Sequence, residues 1–414
     1  MQPPLTAIGA LLLGSFLTSL GYGILLPVMP EIVAGLHTAA TQETIALHTG
    51  FVTAIYAAAA FLSAPLWGRL SDRVTNSQLV AAALAVTGIA TIIGTFAPSL
   101  SWLYFWRFAA GAGAGAVGPA TQAWFSRWAR DDKAWTSKRV VWSAIAQNSG
   151  FLLGPFAGGL AASMAYGGSA GQVPLFVTGG LLLLSAAIAT VFVGQAPPKG
   201  GPGSILPVTR LANQISPMLC GLLVTATAVG AFEVALTLKI GPNRMQPLEI
   251  GFLLAECTIL MSAAQILLVI PRVRDLPANA MIPAALIALA AGLFGAATWT
   301  GIAAHAVSTG LFALGGGLLP PLLSREIASA DGGASGSANG LQSAATQAGQ
   351  MLGGILAGVI AAVLQTAWIF GIAAVPVVGL AIVNIWSGRT EKSRAVLAEN
   401  DATSPYRKPE KESF

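Results

Sequence analysis

The stretch "NSGFLLGPFAGGLAA" (148–162) places four glycines and a proline in the middle of an apolar segment. That segment, 139–165, is long enough to cross a bilayer core, which takes about 20 apolar residues. In a helix interior, glycine costs about 1 kcal/mol relative to alanine and proline costs about 3 kcal/mol. We therefore interpret the glycines as contact points for a neighbouring helix and the proline as a kink in a transmembrane helix.

The composition of the whole chain agrees with a membrane setting. Of its 414 residues, 55% are hydrophobic and only 9% are charged, whereas soluble domains carry about 25% charged residues. The mean hydropathy is +0.72. The class predicted is a polytopic membrane protein, so the net charge of +5 is not evidence for nucleic-acid binding. Cys220 and Cys257 both fall in apolar segments, where we expect them to pack as small hydrophobic residues.

The apolar runs predict an all-α membrane protein with twelve transmembrane helices, because lipid offers no partner for unpaired backbone groups. The fourth, fifth, tenth and eleventh spans have the weakest boundaries, since glycine-rich helices give a weak hydropathy signal. The twelve spans lie near 5–33, 44–66, 78–97, 100–126, 139–165, 173–193, 214–240, 248–270, 278–300, 302–325, 338–363 and 366–386.

The distribution of basic residues predicts the orientation. With both termini in the cytoplasm, 18 of the 21 lysines and arginines lie on the cytoplasmic side, as the positive-inside rule requires. The opposite loops hold only Lys239 and Arg244, and Arg107 lies within a span. We expect a multi-pass protein of the bacterial inner, or cytoplasmic, membrane.

A proline- and glycine-rich stretch divides the spans into two sets of six. We predict an N-terminal six-helix half at 1–193, a cytoplasmic linker at 194–213, a C-terminal six-helix half at 214–386 and a disordered cytoplasmic tail at 387–414. The two halves also contain similar segments. "RLSDR" after the second span resembles "RVRDL" after the eighth, and the opening stretch resembles "QAGQMLGGILAGVIAA" in the eleventh span. Similar segments in the same order indicate duplication of a six-helix unit, a common transporter design.

The loop after the second span carries a family resemblance. "GRLSDRVTNS" resembles the loop signature Gly-x-Leu-Ala-Asp-Arg-x-Gly-Arg-Arg of the major facilitator superfamily, and keeps Gly68, Asp72 and Arg73 but has Thr75 and Asn76 where glycine and arginine are usual. The resemblance implies a conformational latch in which the loop aspartate meets a helix N-terminus of the other half, where a carboxylate is favoured. The start of the eleventh span, near Ser335 and Ser337, is the expected target.

The fourth span, "LYFWRFAAGAGAGAVGPA" (103–120), resembles the family's motif of an arginine followed by small residues. Arg107 lies about 12 Å from the outer end of this span. An arginine at that depth is costly, so we expect it to face the bundle interior and to bind substrate. The alternatives are snorkelling to the interface or pairing with Glu31. If Arg107 meets a substrate anion, a carboxylate-bearing product such as a metallophore is favoured over a simple cationic drug.

The opening stretch matches the pattern Gly-x-x-x-Gly-Pro-x-x-Gly-Gly, which resembles the mark of drug/proton antiporters within this superfamily. The matching residues are Gly150, Gly154, Pro155, Gly158 and Gly159. The first span, "LTSLGYGILLPVMPEI" (17–32), resembles that of tetracycline/proton antiporters, but Thr18 and Ser19 stand where those proteins carry an acidic coupling residue. The alternative interpretation of the glycine pattern is a generic kink for tight packing.

Because the first span lacks that acidic coupling residue, we consider two other carboxylates for proton coupling. Glu233 in the seventh span and Glu256 in the eighth lie about 10–12 Å from their outer ends. Two carboxylates at similar depth on neighbouring helices can share one proton, so we predict that both take part in proton coupling. A glutamate that only hydrogen-bonds between helices, or one that faces a wet vestibule, is the alternative.

Further polar and aromatic residues fall on helices that line the central cavity in the resembling family. Besides Arg107, we predict substrate contacts from Tyr22, Tyr56, Gln122, Gln147, Asn148, Phe232 and Gln347. Interhelical hydrogen bonding or core packing is the alternative for each of them.

Together these features predict a proton-coupled secondary transporter that exports a small amphipathic molecule, a drug-like compound or a metallophore-like metabolite, by alternating access. The alternatives are proton-coupled uptake of a small organic acid and a non-transporting membrane scaffold or sensor. We expect no enzyme activity, cofactor or metal site, because the sequence has no HExxH, CxxC pair, Walker loop or nucleophile elbow, and "GAGAGAVG" lacks a βαβ context. The expected partners are the substrate, protons and the lipid bilayer, not nucleic acid, and the protein is expected to act as a monomer.

Overall fold

The computed structural model describes residues 4–36, 41–71, 74–129, 133–164, 172–193, 208–239, 245–268, 270–274, 276–330, 336–364 and 366–403. These residues form thirteen helices and no strand, and only α9 is short. The helices are α1 (Leu5–Leu36), α2 (Gln42–Ser71), α3 (Asn76–Thr95), α4 (Leu100–Ala129), α5 (Lys133–Met164), α6 (Gln172–Phe192), α7 (Val208–Thr237), α8 (Pro247–Leu267), α9 (Pro271–Arg274), α10 (Ala278–Thr298), α11 (Ile302–Ala330), α12 (Gly336–Val363) and α13 (Ala367–Thr403).

Ten of these helices are long and apolar enough to cross a membrane, judged on the described residues. The predicted all-helical membrane fold is therefore confirmed. The two other long helices are α4 and α5, whose glycines and polar side chains give them a weak hydropathy signal. These are two of the spans for which the sequence gives the least certain edges, and a count of twelve spans stays a prediction.

Helix packing follows the same plan in both halves. In the N-terminal half, α1 packs on α5, α2 on α4, and α3 on both α4 and α6. The C-terminal half repeats this arrangement, since α7 packs on α12, α8 on α11, and α10 on both α11 and α13. Between the halves, α5 packs on α8 and α12 packs on α2. These two contacts are equivalent, because α12 corresponds to α5 and α2 corresponds to α8 in the repeated arrangement. This pairing is what duplication of a six-helix unit predicts.

The buried apolar residues also separate by half. One large cluster takes all its fully buried members from residues 215–381, apart from Leu26 and Ala46. Two smaller clusters lie entirely within the N-terminal half. Each half therefore has an apolar core drawn almost entirely from its own residues.

The bundle has two ends, which we call proximal and distal. The proximal end carries the start of α1 at Leu5, and the distal end carries the end of α1 at Leu36 and the start of α2 at Gln42. In the orientation that the basic residues predict, the proximal end faces the cytoplasm. At the distal end the two halves approach closely, because Gly50 of α2 lies against Gly354 and Gly358 of α12 with no room for a side chain.

The C-terminal segment differs from the prediction. Helix α13 continues to Thr403, so residues 387–403 are helical, where a disordered tail was predicted. The physical reason is composition, because "TEKSRAVLAE" is rich in alanine, leucine, glutamate, lysine and arginine, which all favour a helix. Residues 404–414 and most of the predicted linker, 194–207, lie outside the described residues, whereas residues 208–213 of that linker belong to α7.

Candidate functional site

Arg107 lies in the interior of the bundle, in contact with two aromatic rings. Its side chain is only 7% exposed, so it does not snorkel to the surface. The guanidinium carbon stands 4.5 Å from the ring centre of Tyr56 on α2 and 5.9 Å from that of Tyr22 on α1. Such cation–π contacts stabilise a desolvated cation by about 2 kcal/mol.

The positive charge of Arg107 has no counter-ion among the residues that the structure describes. Within the described residues no carboxylate lies at ion-pair distance from it, and its buried Nε has no hydrogen-bond partner. Glu31, the partner that the sequence left open, is exposed near the end of α1 and does not reach it. A buried charge without a partner is costly, and an anionic ligand would relieve that cost.

Glu233 of α7 connects this region to the C-terminal half. Its side chain is 5% exposed, and the hydroxyl of Tyr22 donates a hydrogen bond to its Oε2 at 3.0 Å. Since Tyr22 belongs to α1, this bond joins the two halves. We call Arg107, Tyr56, Tyr22, Glu233 and Phe151 the central cluster.

Phe151 completes the central cluster, and sequence reasoning missed it. Its ring stacks on Tyr22 with centres 5.6 Å apart, while the rings of Tyr22 and Tyr56 are 5.1 Å apart. Phe151 follows directly after Gly150, a glycine of the opening motif that contacts α1. The available signal was its spacing, because Phe151 lies four residues after Gln147, a predicted substrate contact, and residues four apart share a helix face.

The second predicted coupling residue has different surroundings. Glu256 is half-buried on α8, and its Oε1 lies near Gly310 of α11, 3.8 Å from where a Cβ would stand. No hydrogen bond joins Glu256 to Glu233 in the described structure. In this conformation the two carboxylates are therefore not hydrogen-bonded to each other, and a coupling role for either one stays a prediction.

The other predicted contacts lie in varied positions. The amide of Asn148 donates to Oε1 of Gln265 on α8 at 3.2 Å, which is a second polar bond between the halves. Gln147 donates to Ser143 on its own helix at 3.3 Å. Gln122 is exposed and Gln347 is half-buried. None of these four belongs to the central cluster.

Phe232 belongs to the core of the C-terminal half. It is 1% exposed and stacks on Phe312 with ring centres 4.0 Å apart, and its edge meets Phe370. Phe232 therefore packs within this core in the present conformation, and its predicted contact with substrate stays a prediction.

The loop signature cannot be placed in the same way. Asp72 and Arg73 lie outside the described residues, as does Ser335. Gly68 falls within α2, but its surroundings are not described. The latch therefore remains a prediction.

The glycine motif of α5 has two partners. A Cβ at Gly150, Gly154 or Gly158 would meet backbone atoms of α1, so these three glycines permit α5 to lie directly on α1. Gly159 faces the other half instead, where a Cβ would lie 2.7 Å from the carbonyl oxygen of Pro247 on α8. Pro155 is inside α5 and lies against Gly23 of α1. The motif thus sets both the packing within a half and the contact between halves.

We expect Gly150→Ala to destabilise the folded protein by about 1–3 kcal/mol, because the added methyl group would overlap the carbonyl oxygen of Phe16 and force α1 and α5 apart. Gly180→Ala on α6 is the matched control, since a Cβ there meets no atom within 4 Å. Thermal unfolding of the two purified variants in the same detergent tests this. A melting temperature that falls equally in both would contradict it.

Within the described residues, no group of histidine, cysteine, aspartate and glutamate could hold a metal ion.

Comparison with known proteins supplies the family context. Residues 11–323 match the family model described as Major Facilitator Superfamily. Multidrug resistance protein 2 of Bacillus subtilis is 26% identical over 44% of this chain and 42% of its own length. A multi-drug resistance efflux pump PmrA homolog of Lactococcus lactis is 29% identical over 51% of each chain, and the class B tetracycline resistance protein of Escherichia coli is 29% identical over 39% of this chain and 38% of its own.

These matches span about half or less of the length of the curated relatives, whereas likeness to solved structures extends over nearly the whole chain. The superposition on the human organic anion transporter MFSD10 covers 93% of this chain and 99% of the MFSD10 chain, at a TM-score of 0.69 and 15% identity. An inward-facing, unoccupied bacterial homologue of the lysosomal transporter Spinster covers 93% of this chain and 96% of its own, at a TM-score of 0.71 and 13% identity. At these identities the likeness shows the fold.

Proposed function

Because the chain belongs to the Major Facilitator Superfamily, we propose that it is a proton-coupled exporter of a small amphipathic molecule in a bacterial cytoplasmic membrane. The family makes it a transporter and not an enzyme, as the sequence predicted. Export, proton coupling, the substrate and action as a monomer are the parts that we propose.

Two observations support export. Two of the similar proteins, from Bacillus subtilis and Lactococcus lactis, carry the names multidrug resistance protein and efflux pump. The Gly-x-x-x-Gly-Pro-x-x-Gly-Gly motif, which resembles the mark of drug/proton antiporters, lies at the packing of α5 on α1 and α8.

Alternating access requires that the halves separate at one end while they close at the other. In this structure glycine contacts hold the halves together at the distal end, between α2 and α12 and between α5 and α8. These small contacts can part without breaking either apolar core, since each half has its own. We infer that the substrate enters from the proximal side and leaves when the distal contacts open, and that Asp72 and Arg73 form a latch at the proximal end.

The observation that carries proton coupling is the hydrogen bond from Tyr22 to Glu233. It joins the halves through a buried carboxylate, so protonation of Glu233 changes a contact between α1 and α7. A bond to an ionised carboxylate is roughly twice as strong as one between neutral groups. A proton on Glu233 would therefore weaken this contact and shift the balance between the two conformations.

The central cluster also indicates the substrate. It offers aromatic faces from Tyr22, Tyr56 and Phe151 together with the unpaired guanidinium of Arg107. An aromatic or otherwise apolar molecule with an acidic group would contact both the aromatic rings and the guanidinium. We therefore favour an amphipathic substrate that carries a carboxylate over a simple organic cation.

Inside-out membrane vesicles test the direction of transport. With a proton gradient imposed, acid inside, we expect the vesicles to accumulate substrate from a panel that contains tetracycline and fluorescent aromatic carboxylates. Uptake should collapse when an uncoupler removes the gradient, and vesicles with the Glu233→Gln variant are the control. Accumulation only in right-side-out vesicles would show import instead.

One observation favours a second function, the uptake of an organic acid together with a proton. Arg107 and Glu233 lie in the same cluster, and with Glu233 protonated the site carries one positive charge that suits a monoanion. Addition of substrate to the purified protein in weakly buffered solution separates the two mechanisms. An exporter that exchanges substrate for protons should release protons on binding, whereas a symporter should take them up.

A further inference from the structure

A cavity lies at the distal end, apart from the central cluster. Its volume is about 860 Å³, and its walls come from the start of α2 in one half and from the distal connections of the other half, which join α7 to α8, α10 to α11 and α12 to α13. No residue of the central cluster lines it. A cavity of this size suits a drug-sized molecule.

The inner wall of this distal pocket holds a pair of nitrogen bases. Nζ of Lys239 donates to the carbonyl oxygen of Ala296 at 3.0 Å and contacts Nε2 of His305. The same ammonium lies 4.9 Å from the ring centre of Phe370. Because a lysine ammonium has three N–H groups, one remains for a ligand after these two contacts.

His305 fixes the position of this ammonium. It is 6% exposed and lines the pocket, and its Nε2 accepts a hydrogen bond from Lys239. Its Nδ1 is closed off from solvent. A molecule in the pocket therefore meets the ammonium of Lys239 and not Nδ1 of His305.

The carboxylates of the pocket lie elsewhere on its wall. Glu249 caps its own helix, since its Oε2 accepts the backbone N–H of Gln246 at 2.7 Å. Glu43 is exposed in the first turn of α2. Neither carboxylate forms an ion pair with Lys239 in the described part of the chain, so the ammonium has hydrogen-bond acceptors there but no anionic partner.

The remaining walls combine polar and apolar side chains. Met245 and Leu364 line the pocket with Trp299, whose side chain is 41% exposed at the end of α10. A pocket that offers both an ammonium and an exposed indole fits a molecule with an anionic end and an apolar body.

We propose that the distal pocket is a second binding site, which holds the carboxylate of a small amphipathic organic acid on Lys239, positioned by His305, and its apolar body against Trp299. The site is independent of the proposed export function, because it shares no residue with the central cluster. Since both halves form its walls, a bound molecule stabilises the conformation that is closed at the distal end.

The charge state of Lys239 supports this assignment and predicts a pH dependence. Burial lowers the pKa of Lys239 to about 8, and an amine is charged below its pKa. Binding of an anion should therefore be strongest near neutral pH and weaken as the pH rises through 8. The other titratable groups that line the pocket are His305 of α11, Glu43 of α2 and Glu249 of α8.

Binding of 2-naphthoate to the purified full-length protein tests the proposal, with 2-naphthylmethylammonium as the size-matched cation. Titration calorimetry in an Arg107→Met background removes any contribution of the central cluster. We expect 2-naphthoate to bind there, to lose at least tenfold in affinity when Lys239→Met is added, and to keep most of it with Lys239→Arg. The cation should bind at least tenfold more weakly than 2-naphthoate.

Two results would overturn the proposal. One is an affinity for 2-naphthoate that Lys239→Met leaves unchanged, and the other is loss of all binding in the Arg107→Met background alone. If the Lys239→Met protein does not fold, the pH profile of the Arg107→Met protein decides the matter, since a flat affinity from pH 7 to pH 9 contradicts the assignment. Transport in vesicles is measured separately, so failure here leaves the export proposal intact.

Discussion

Arg107→Met is expected to abolish transport while leaving the folded protein at least as stable as the wild type. The guanidinium is buried and has no carboxylate partner among the described residues, so an apolar side chain of similar length removes an uncompensated charge. Loss of the cation–π contact with Tyr56 offsets part of that gain. Hydrogen bonds to a charged group contribute about 1.5–3 kcal/mol, so the affinity for an acidic substrate should fall roughly 10- to 150-fold.

Two measurements check this expectation, thermal unfolding and substrate binding by the same purified variant. Arg107→Lys is the matched control, because it keeps the charge but loses the planar fork that binds a carboxylate through two bonds. It should retain part of the affinity that Arg107→Met loses. If Arg107→Met unfolds at a much lower temperature, or binds acidic substrates as well as the wild type does, Arg107 has a structural role instead.

Glu233→Gln is expected to uncouple transport from the proton gradient. The amide keeps the shape of the side chain and still accepts the hydrogen bond from Tyr22, but it cannot take up a proton. Proton-driven accumulation in inside-out vesicles should therefore vanish, while exchange of labelled for unlabelled substrate without a gradient persists. Substrate addition should also release protons from the wild type and none from the variant.

Tyr22→Phe tests the hydrogen bond between the halves separately from the protonation of Glu233. This variant keeps the carboxylate of Glu233 and the aromatic ring but removes the bond between the halves. Coupled transport should be reduced and not lost, with proton release on substrate binding retained. Proton release that survives in Glu233→Gln would place the coupling group elsewhere, and Glu256→Gln would be the next variant to measure.

Much of the fold follows from local sequence. Apolar runs of about 20 residues can only be satisfied as helices in lipid, so the number of long helices and most of their bounds were predictable. The repeated motifs predicted a repeated arrangement, and the paired packing of helices agrees with it. The end of α13 was predicted poorly, because a polar composition suggested disorder where the individual residues favour a helix.

The candidate site was predictable only in part. A single arginine in an apolar run is so costly in lipid that its burial could be expected, and Arg107 is buried. Residue type and depth also identified Glu233, Tyr22 and Tyr56. The same reasoning selected Phe232, which faces a core of other aromatic rings, because periodicity along one helix does not say which neighbour each face meets.

The sequence by itself determined that this protein is a helical membrane protein and carried the motifs by which it resembles the Major Facilitator Superfamily, since hydropathy, charge placement and motif spacing are properties of short segments. Only the tertiary structure decided which groups meet. Tyr22 and Glu233 are 211 positions apart, and the distal pocket draws its walls from both halves. Such contacts depend on how two separately packed cores dock against each other, and that docking is set by small residues whose partners the sequence does not name.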